Sequence, residues 1–239
     1  MMQSLYTAST GMLGMQTQID TTANNIANVN TIGFKKSRAE FADLMYKVME
    51  YAGTSTSDVT KSPTGIEVGL GSRPTAINKI FSEGSLKQTD NQLDLAITGR
   101  GFFKMELPDG TQVYSRNGAF KVDENGTIVN SDGYRLVPEV VIPPDATNIS
   151  VGTDGTISVV QAGQTQATQI GQITLTNFIN PAGLHSMGDN LFIETDSSGQ
   201  PVEGTPGLDG LGVLRQGFVE FSNVELVVEL TDLITGQRA

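Results

Sequence analysis

Apolar residues near the start of the chain fall at Leu5, Ala8, Met12, Met15, Ile19, Ile26 and Val29, and Thr22 fills the one polar place in a 3-4-3-4-3-4-3 series. A 3-4 repeat keeps one narrow stripe of a helix turned to a partner helix. The spacing predicts a helix from about Ser4 to Val29 or Asn30, about 39 Å long at 1.5 Å per residue. Gly11 and Gly14 lie off the stripe. Each weakens a helix by about 1 kcal/mol relative to Ala, and together they suit either close approach of another helix or a bend. Asn24, Asn25 and Asn28 also lie off the stripe, with Asn30 just beyond. Asn competes with the backbone for hydrogen bonds, so the cluster weakens the helix where the stripe asks for one. An outward row of amides suits contacts with neighbouring subunits. The plainer reading is a frayed helix end closed by Gly33 in a left-handed turn.

A second helix is predicted from near Ser222. Ser222 and Glu225 form a Ser-x-x-Glu capping-box pattern, and Leu226, Val227, Leu230, Leu233 and Ile234 follow on one side. Glu225, Glu229 and Asp232 gather on another side, early enough to complement the helix dipole. Neither terminal helix is joined to another by a short loop, so each is the simplest partner for the other.

Between them the pattern turns to strands. Asp109-Gly110, Asn125-Gly126, Asp132-Gly133 and Asp154-Gly155 are two-residue hairpin signals, flanked by apolar or β-branched runs at 101–107, 111–114, 127–129, 140–142, 156–160 and 172–176. The fold class is α+β: a coiled-coil-like layer of N- and C-terminal helices (1–34 and 217–239) bracketing a small all-β antiparallel domain (90–204). Extended connections fill 35–89 and 205–216. Within them, 46–65 changes character, from Met and Tyr residues to a Ser/Thr-rich stretch whose composition reads as a flexible linker.

Composition narrows the function. Hydrophobic residues make up 38% of 239 and aromatics 6%, with no Trp, so the core is modest and aliphatic. The net charge of -11 repels nucleic acid. Lys35, Lys36 and Arg38 read as a solvated face or a subunit contact. The absence of Cys excludes disulfides, thiolate metal sites and Cys nucleophiles. The N-terminal residues lack the pattern of a cleavable signal peptide, and no stretch reads as a membrane span.

The residues point to no catalytic, cofactor or metal site. His185 stands alone after an Asn-Pro-Ala-Gly turn and reads as structural or solvated. No Gly-x-Ser-x-Gly elbow is present. Gly69-Leu70-Gly71 and Gly99-Arg100-Gly101 lack the third glycine of a dinucleotide site. The Asp123–Gly126 stretch lacks the later Glu of an EF-hand and reads as a hairpin turn.

Residues 23–34 have the form Ala-Asn-Asn-x-Ala-Asn-x-x-Thr-x-Gly-Phe, filled at every fixed position up to Gly33 and Phe34. Further blocks are Pro-Thr-Gly-Ile-Glu-Val-Gly-Leu-Gly (63–71), Leu-Asp-Leu-Ala-Ile-Thr-Gly-Arg-Gly-Phe-Phe (93–103), Ser-Arg-Asn-Gly-Ala-Phe (115–120), Asn-Ser-Asp-Gly-Tyr (130–134), Asn-Pro-Ala-Gly (180–183) and Gln-Gly-Phe-Val-Glu (216–220). In this order they resemble the bacterial flagellar rod and hook proteins along nearly the whole chain. The 63–71 block favours the distal-rod branch.

The resemblance implies a structural subunit that polymerises into a stiff hollow helical tube, transmits torque and passes exported subunits. Its partners would be itself, the proximal rod proteins, the hook protein, the P- and L-ring proteins and the export apparatus, with no cofactor, nucleic acid or membrane insertion. It would lie in the basal body from periplasm to outer membrane, exported without a cleavable signal. Subunit contacts would come from the Leu5–Val29 stripe, the Asn cluster, Gly33, Phe34 and the Leu226–Ile234 stripe. The stretch holding Tyr46, Tyr51, Ser62, Pro63 and Gly65 would set stiffness. Further helical turns are expected past Gln237-Arg238-Ala239. The alternative is a secreted β-domain that binds a ligand and oligomerises through its terminal helices.

Overall fold

A computed structural model describes residues 2–53, 63–163 and 166–238. The chain is α+β, with a helix at each end and a mostly antiparallel β middle. It divides into two units: 1–27, 37–79 and 225–239 form the first, and 28–36 with 80–224 the second. The expected connecting stretch 35–89 is thus shared between them.

The first unit holds α1 (Met2–Ala27), α2 (Leu226–Arg238) and a long ribbon. In the ribbon β1 (Ser37–Asp43) pairs antiparallel with β4 (Ser72–Lys79), from Ser37 opposite Lys79 to Asp43 opposite Ser72. Beyond, β2 (Tyr46–Glu50) pairs with β3 (Ile66–Gly69). Leu44 N–H donates to Gly71 O at 2.8 Å and carries the ladder across the gap. Residues 37–50 thus make one arm of a single hairpin, about 45 Å long at ~3.3 Å per residue.

α1 turns towards the ribbon with its small and hydroxyl residues. Gly14, Thr21, Thr22 and Asn25 are buried. Gly14 lies against the Phe41 ring, where a Cβ would make ordinary contact at 3.4 Å, whereas nothing approaches Gly11. The hydroxyls facing inward bond back along the helix, Thr10 Oγ1 to Thr7 O and Thr21 Oγ1 to Thr17 O, both at 2.8 Å. This pairing removes the desolvation cost of burying them.

α1 ends earlier than its apolar spacing predicts. Thr31 N–H donates to Asn28 O at 3.1 Å and Thr31 Oγ1 to Asn28 Oδ1 at 3.1 Å, making a turn instead of a last helical turn. α2 starts later than expected, because Ser222 accepts from Val224 N–H at 3.3 Å while Glu229 N–H donates to Glu225 O at 3.1 Å. Glu225 therefore opens the helix, and the predicted capping box does not form. The cause lies one residue on. Asn223 Oδ1 accepts from Lys36 N–H at 2.8 Å and its Nδ2 donates to Ile80 O at 2.8 Å, which holds this segment extended.

In the second unit the main sheet runs, in spatial order, His185–Gly188, Leu191–Ile193, β8 (Gln112–Ser115), β7 (Phe102–Glu106), Arg135–Val137, Ile128–Val129 and Lys121–Val122. Leu175–Asn177 also pairs with β7. A separate three-stranded sheet joins Ala146–Val151, Thr156–Gln161 and Thr168–Gln172. Two further pairs close the unit across long sequence distances: β5 (Leu86–Gln88) with Phe218–Glu220, and β6 (Leu95–Thr98) with Val213–Gln216. One core cluster includes Leu95, Ile97, Phe103, Phe120, Ile173 and Leu214. A smaller one gathers Phe102, Tyr114, Phe178, Leu184 and Phe192.

All four predicted turns form, by a route the dipeptides did not specify. Only the glycine of each pair has positive φ, at 82° for Gly110, Gly126 and Gly155 and 86° for Gly133. The hydrogen bonds Gly110 N–H to Leu107 O and Leu107 N–H to Thr111 O recur in equivalent form at the other three. These are type I turns followed by a left-handed glycine bulge. The expected strand at 140–142 is a single bridge, Thr127 to Val141, with Val140 and Ile142 buried in the core.

Candidate assembly surfaces

From Leu5 to Met15 the apolar stripe of α1 points away from the small-residue face that meets the ribbon, whereas Thr22 farther along it is buried. Leu5 is 71% exposed, Met12 67% and Met15 38%. Ala8 is exposed as well, and Ile19, Ile26 and Val29 are half-buried. Ile19 meets α2: a Cβ on Gly236 would come within 3.2 Å of its Cγ1. α2 buries Glu229 and Gly236 and half-buries Leu233. Leu226, Val227, Leu230 and Ile234 stay between 42% and 77% exposed. The two helices touch along only part of the α1 stripe.

Asn25 departs from the outward row. It is 2% exposed. Its Oδ1 accepts from Ser37 N–H at 2.9 Å, and its Nδ2 donates to Ser37 O at 2.8 Å and to Glu229 Oε2 at 3.1 Å. One amide therefore satisfies the ribbon's first strand and a buried carboxylate of α2. Asn24 and Asn30 are exposed and Asn28 is half-buried. The signal for Asn25 was the second series Thr7, Thr10, Gly14, Thr21, Asn25, which marks the face where small polar groups meet the ribbon. Asn25→Ala is expected to lower stability by about 2–3 kcal/mol, since it strands a buried carboxylate and a backbone pair. Thermal unfolding of the full chain checks this, and an unchanged midpoint would refute it.

Gly33 and Phe34 are buried within the second unit. Gly33 lies past the helix end, at φ +73°, and its N–H donates to Glu220 O at 2.8 Å. A Cβ there would stand 2.7 Å from Asn117 N. The residue admits a neighbouring backbone and does not cap α1.

The ribbon carries its apolar residues outside. Met45 is 83% exposed, Met49 67% and Tyr51 75%, with Tyr46, Ile66 and Val68 also exposed. The Asp43 carboxylate that accepts from its hydroxyl raises Tyr46 above the ordinary tyrosine value. The first part of 46–65 is thus a paired strand and not a linker. Pro63 and Gly65 are exposed beyond it, and Ser62 lies outside the described residues.

The expected basic surface cluster is split by burial. Arg38 is exposed and pairs with Glu40 at 3.0 Å. Lys35 is fully buried. Its Nζ donates to Glu220 Oε1 at 2.6 Å and to Ser82 O at 2.7 Å. Arg116 Nε donates to Glu220 Oε2 at 3.0 Å, and its Nη1 donates to the carbonyls of Gly99 and Gly101, each at 2.8 Å. Gly84 N–H adds a bond to Oε1 at 2.9 Å. Burial pushes the Glu220 carboxyl up, but Arg116, Lys35 and the Gly84 N–H outweigh it and hold the group below the usual carboxylate value. Burial pulls Lys35 below its ordinary value, with Glu220 working the other way. Sequence reasoning missed this triad because its members lie at 35, 116 and 220.

Among the described residues no group of three or more His, Asp or Glu side chains is gathered to hold a metal, and no helix is long and apolar enough to cross a membrane. His185 is exposed at a strand that pairs with Leu191–Ile193.

Three family profiles match the chain: flagella basal body rod protein over 5–35, flagellar hook protein FlgE/F/G D1 domain over 96–159 and flagellar basal body rod FlgEFG protein C-terminal over 215–239. The flagellar basal-body rod protein FlgG of Buchnera aphidicola subsp. Schizaphis graminum is 48% identical over 239 residues, which covers 100% of this chain and 92% of that protein. This chain belongs to the flagellar basal-body rod protein family. Two other rod proteins of the family, both named FlgG, are similar over 100% of the chain and 91% of their own length. That of Caulobacter vibrioides is 46% identical over 239 residues and that of Borreliella burgdorferi 45% over 241. Each member of the buried triad falls in a different matched segment of the rod family. The ribbon falls in none of the three.

Proposed function

We propose that this chain is a structural subunit of the flagellar distal rod, polymerising into a stiff hollow helical tube. The observation that carries the reading is the exposed apolar stripe of α1, on a chain similar along its whole length to basal-body rod proteins. Large apolar patches on a folded chain mark surfaces that bind something. Here Leu5, Ala8, Met12 and Met15 would find partners in the helices of neighbouring copies, together with Leu226, Val227, Leu230 and Ile234. The layer so formed would have coiled-coil-like packing. Head-to-tail contacts that do not close generate a helical lattice. Such a tube, running from periplasm to outer membrane, would carry torque to the hook and pass exported subunits. It would meet the proximal rod proteins, the hook protein and the P- and L-ring proteins, and would reach its place through the flagellar export apparatus.

The test is electron microscopy of cells lacking the gene, with and without a plasmid copy. Rod stubs that end before the outer membrane, restored to full length by the plasmid, are expected. Normal filaments in the deletion strain would refute the rod role and favour a ligand-binding β-domain.

The ribbon would brace neighbouring subunits along the tube. Deleting 46–65 removes β2 and is expected to give a softer or curved rod that still exports later subunits. Micrographs showing a straight, fully functional rod in that mutant would remove stiffness from the ribbon's role.

A further inference from the structure

We propose that a cleft on the second unit seats the Leu208–Asp209 turn of a neighbouring copy, giving the polymer a contact outside its helices. This rests on the rod reading and adds a specific pair of surfaces to it.

The cleft holds about 280 Å³, below the ~300–1,000 Å³ usual for small-molecule sites, and suits one or two side chains. Its floor is aromatic. Phe102 stands edge-on to Phe81 at 5.4 Å and to Phe178 at 5.8 Å. Ile179, 88% exposed, forms one lip, and an apolar side chain so placed is a docking anchor more readily than a core residue. Two arginines line the site. Arg116 is already committed to Glu220 and two carbonyls. Arg100 is exposed and makes no ion pair among the described residues. The sequence blocks at 93–103, 115–120 and 180–183, remote along the chain, each supply residues to this one cleft. Its ligand is therefore an apolar side chain with a carboxylate beside it.

The same unit displays that combination elsewhere. Leu208 is 61% exposed, more than any other large apolar side chain described in this unit except Ile179. Asp209 follows it, exposed and at φ +52°, a left-handed conformation that non-glycine residues seldom adopt. The turn is fixed by Leu208 N–H to Thr205 O at 3.2 Å and Leu211 N–H to Leu208 O at 2.9 Å. A rigid knob costs little entropy on docking. Leu208 does not line the cleft of its own chain. On a chain of net charge -11, an unpaired arginine at an apolar cleft selects a carboxylate of another copy. The turn stands near the cleft's rim, since Gly212 N–H donates to Arg100 O at 2.7 Å, but the two share no lining residue. A knob of one copy in the hole of the next is a heterologous contact, which propagates where the rotation does not close.

The chain has no cysteine, so introduced thiols report the contact cleanly. Purified Ile179→Cys and Leu208→Cys proteins, mixed and oxidised with copper phenanthroline, should give a disulfide-linked dimer at least tenfold above either alone. The double variant should give a ladder. Asp209→Arg and Arg100→Glu should each cut cross-linking at least tenfold, and pairing the two changes should restore it. Melting curves verify that the variants stay folded. Absence of the mixed dimer, or no rescue by the charge-reversed pair, overturns the contact. Sedimentation of the unmodified chain separates the two claims. Polymer without cross-link leaves the rod reading and removes this contact. Cross-link without polymer keeps the contact and removes the rod. Neither product removes both.

Discussion

Glu220→Gln is expected to destabilise the second unit by about 3–5 kcal/mol, the usual loss when one partner of a buried ion network is removed. Glu220 is 1% exposed and stands between a lysine and an arginine that are equally enclosed. Glutamine keeps the shape and removes the charge, leaving Lys35 and Arg116 as buried cations without a counter-charge. Urea unfolding of the full chain would read this as a lower midpoint with unchanged slope. Replacing all three charges with well-fitted apolar side chains should recover much of the loss, because desolvation of the triad offsets most of its attraction. Acid gives a second reading. The folded value of Glu220 lies below its ordinary one, 4.5. The stabilisation it supplies is therefore complete above that pH and is lost as pH falls through the folded value. The stability gap between the native chain and Glu220→Gln should narrow in that acid range. A gap that stays constant there would refute loss of the carboxylate charge as its source, and a midpoint equal to that of the native chain would mean the Glu220 charge contributes nothing.

Gly118→Ala is the second large effect. Leu95 N–H donates to Gly118 O at 2.9 Å, which presses two backbone segments together beside Phe103. A Cβ at 118 would land on the Leu95 carbonyl oxygen and come within 3.1 Å of the Phe103 ring. Both obstacles are in the core, and one is backbone, so no change of rotamer relieves them. A loss of about 3 kcal/mol or more is expected, at the upper end of overpacking costs. A midpoint equal to that of the native chain would refute the close approach.

What the sequence told of this fold was what local spacing can tell. The 3-4 stripe located α1 and the four Asp-Gly and Asn-Gly pairs located turns, because helical period and left-handed glycine are properties of neighbouring residues. The ribbon was less legible. Its strands are half-exposed along most of their length, and a two-stranded element with so little burial leaves no clear alternation of apolar and polar residues. Met49 in β2, and Met45 and Tyr51 at its two ends, are exposed and show no such alternation. Lys35 was misjudged for another reason. Lysine is almost never fully buried unless paired, and its partners are supplied from 185 residues away at Glu220 and by Ser82 from 47 residues away. Asn25 failed as an outward contact on the same ground, since Glu229 lies 204 residues from it.

The distances that hid the triad also set an order of events. If the chain follows the export route proposed above, it emerges lengthwise from a narrow channel, and residues 35, 116 and 220 arrive at different times, whichever end leads. Until all three are out, the enclosed cations and the carboxylate cannot neutralise one another, and the two strand pairs that tie 86–98 to 213–220 lack one side. The folded β unit is therefore closed to an incomplete chain. On that proposed route its charges would act as a completeness check: a partly delivered subunit would stay open and threadable, and only a chain that has brought residues 35, 116 and 220 together would gain the full stability of the unit.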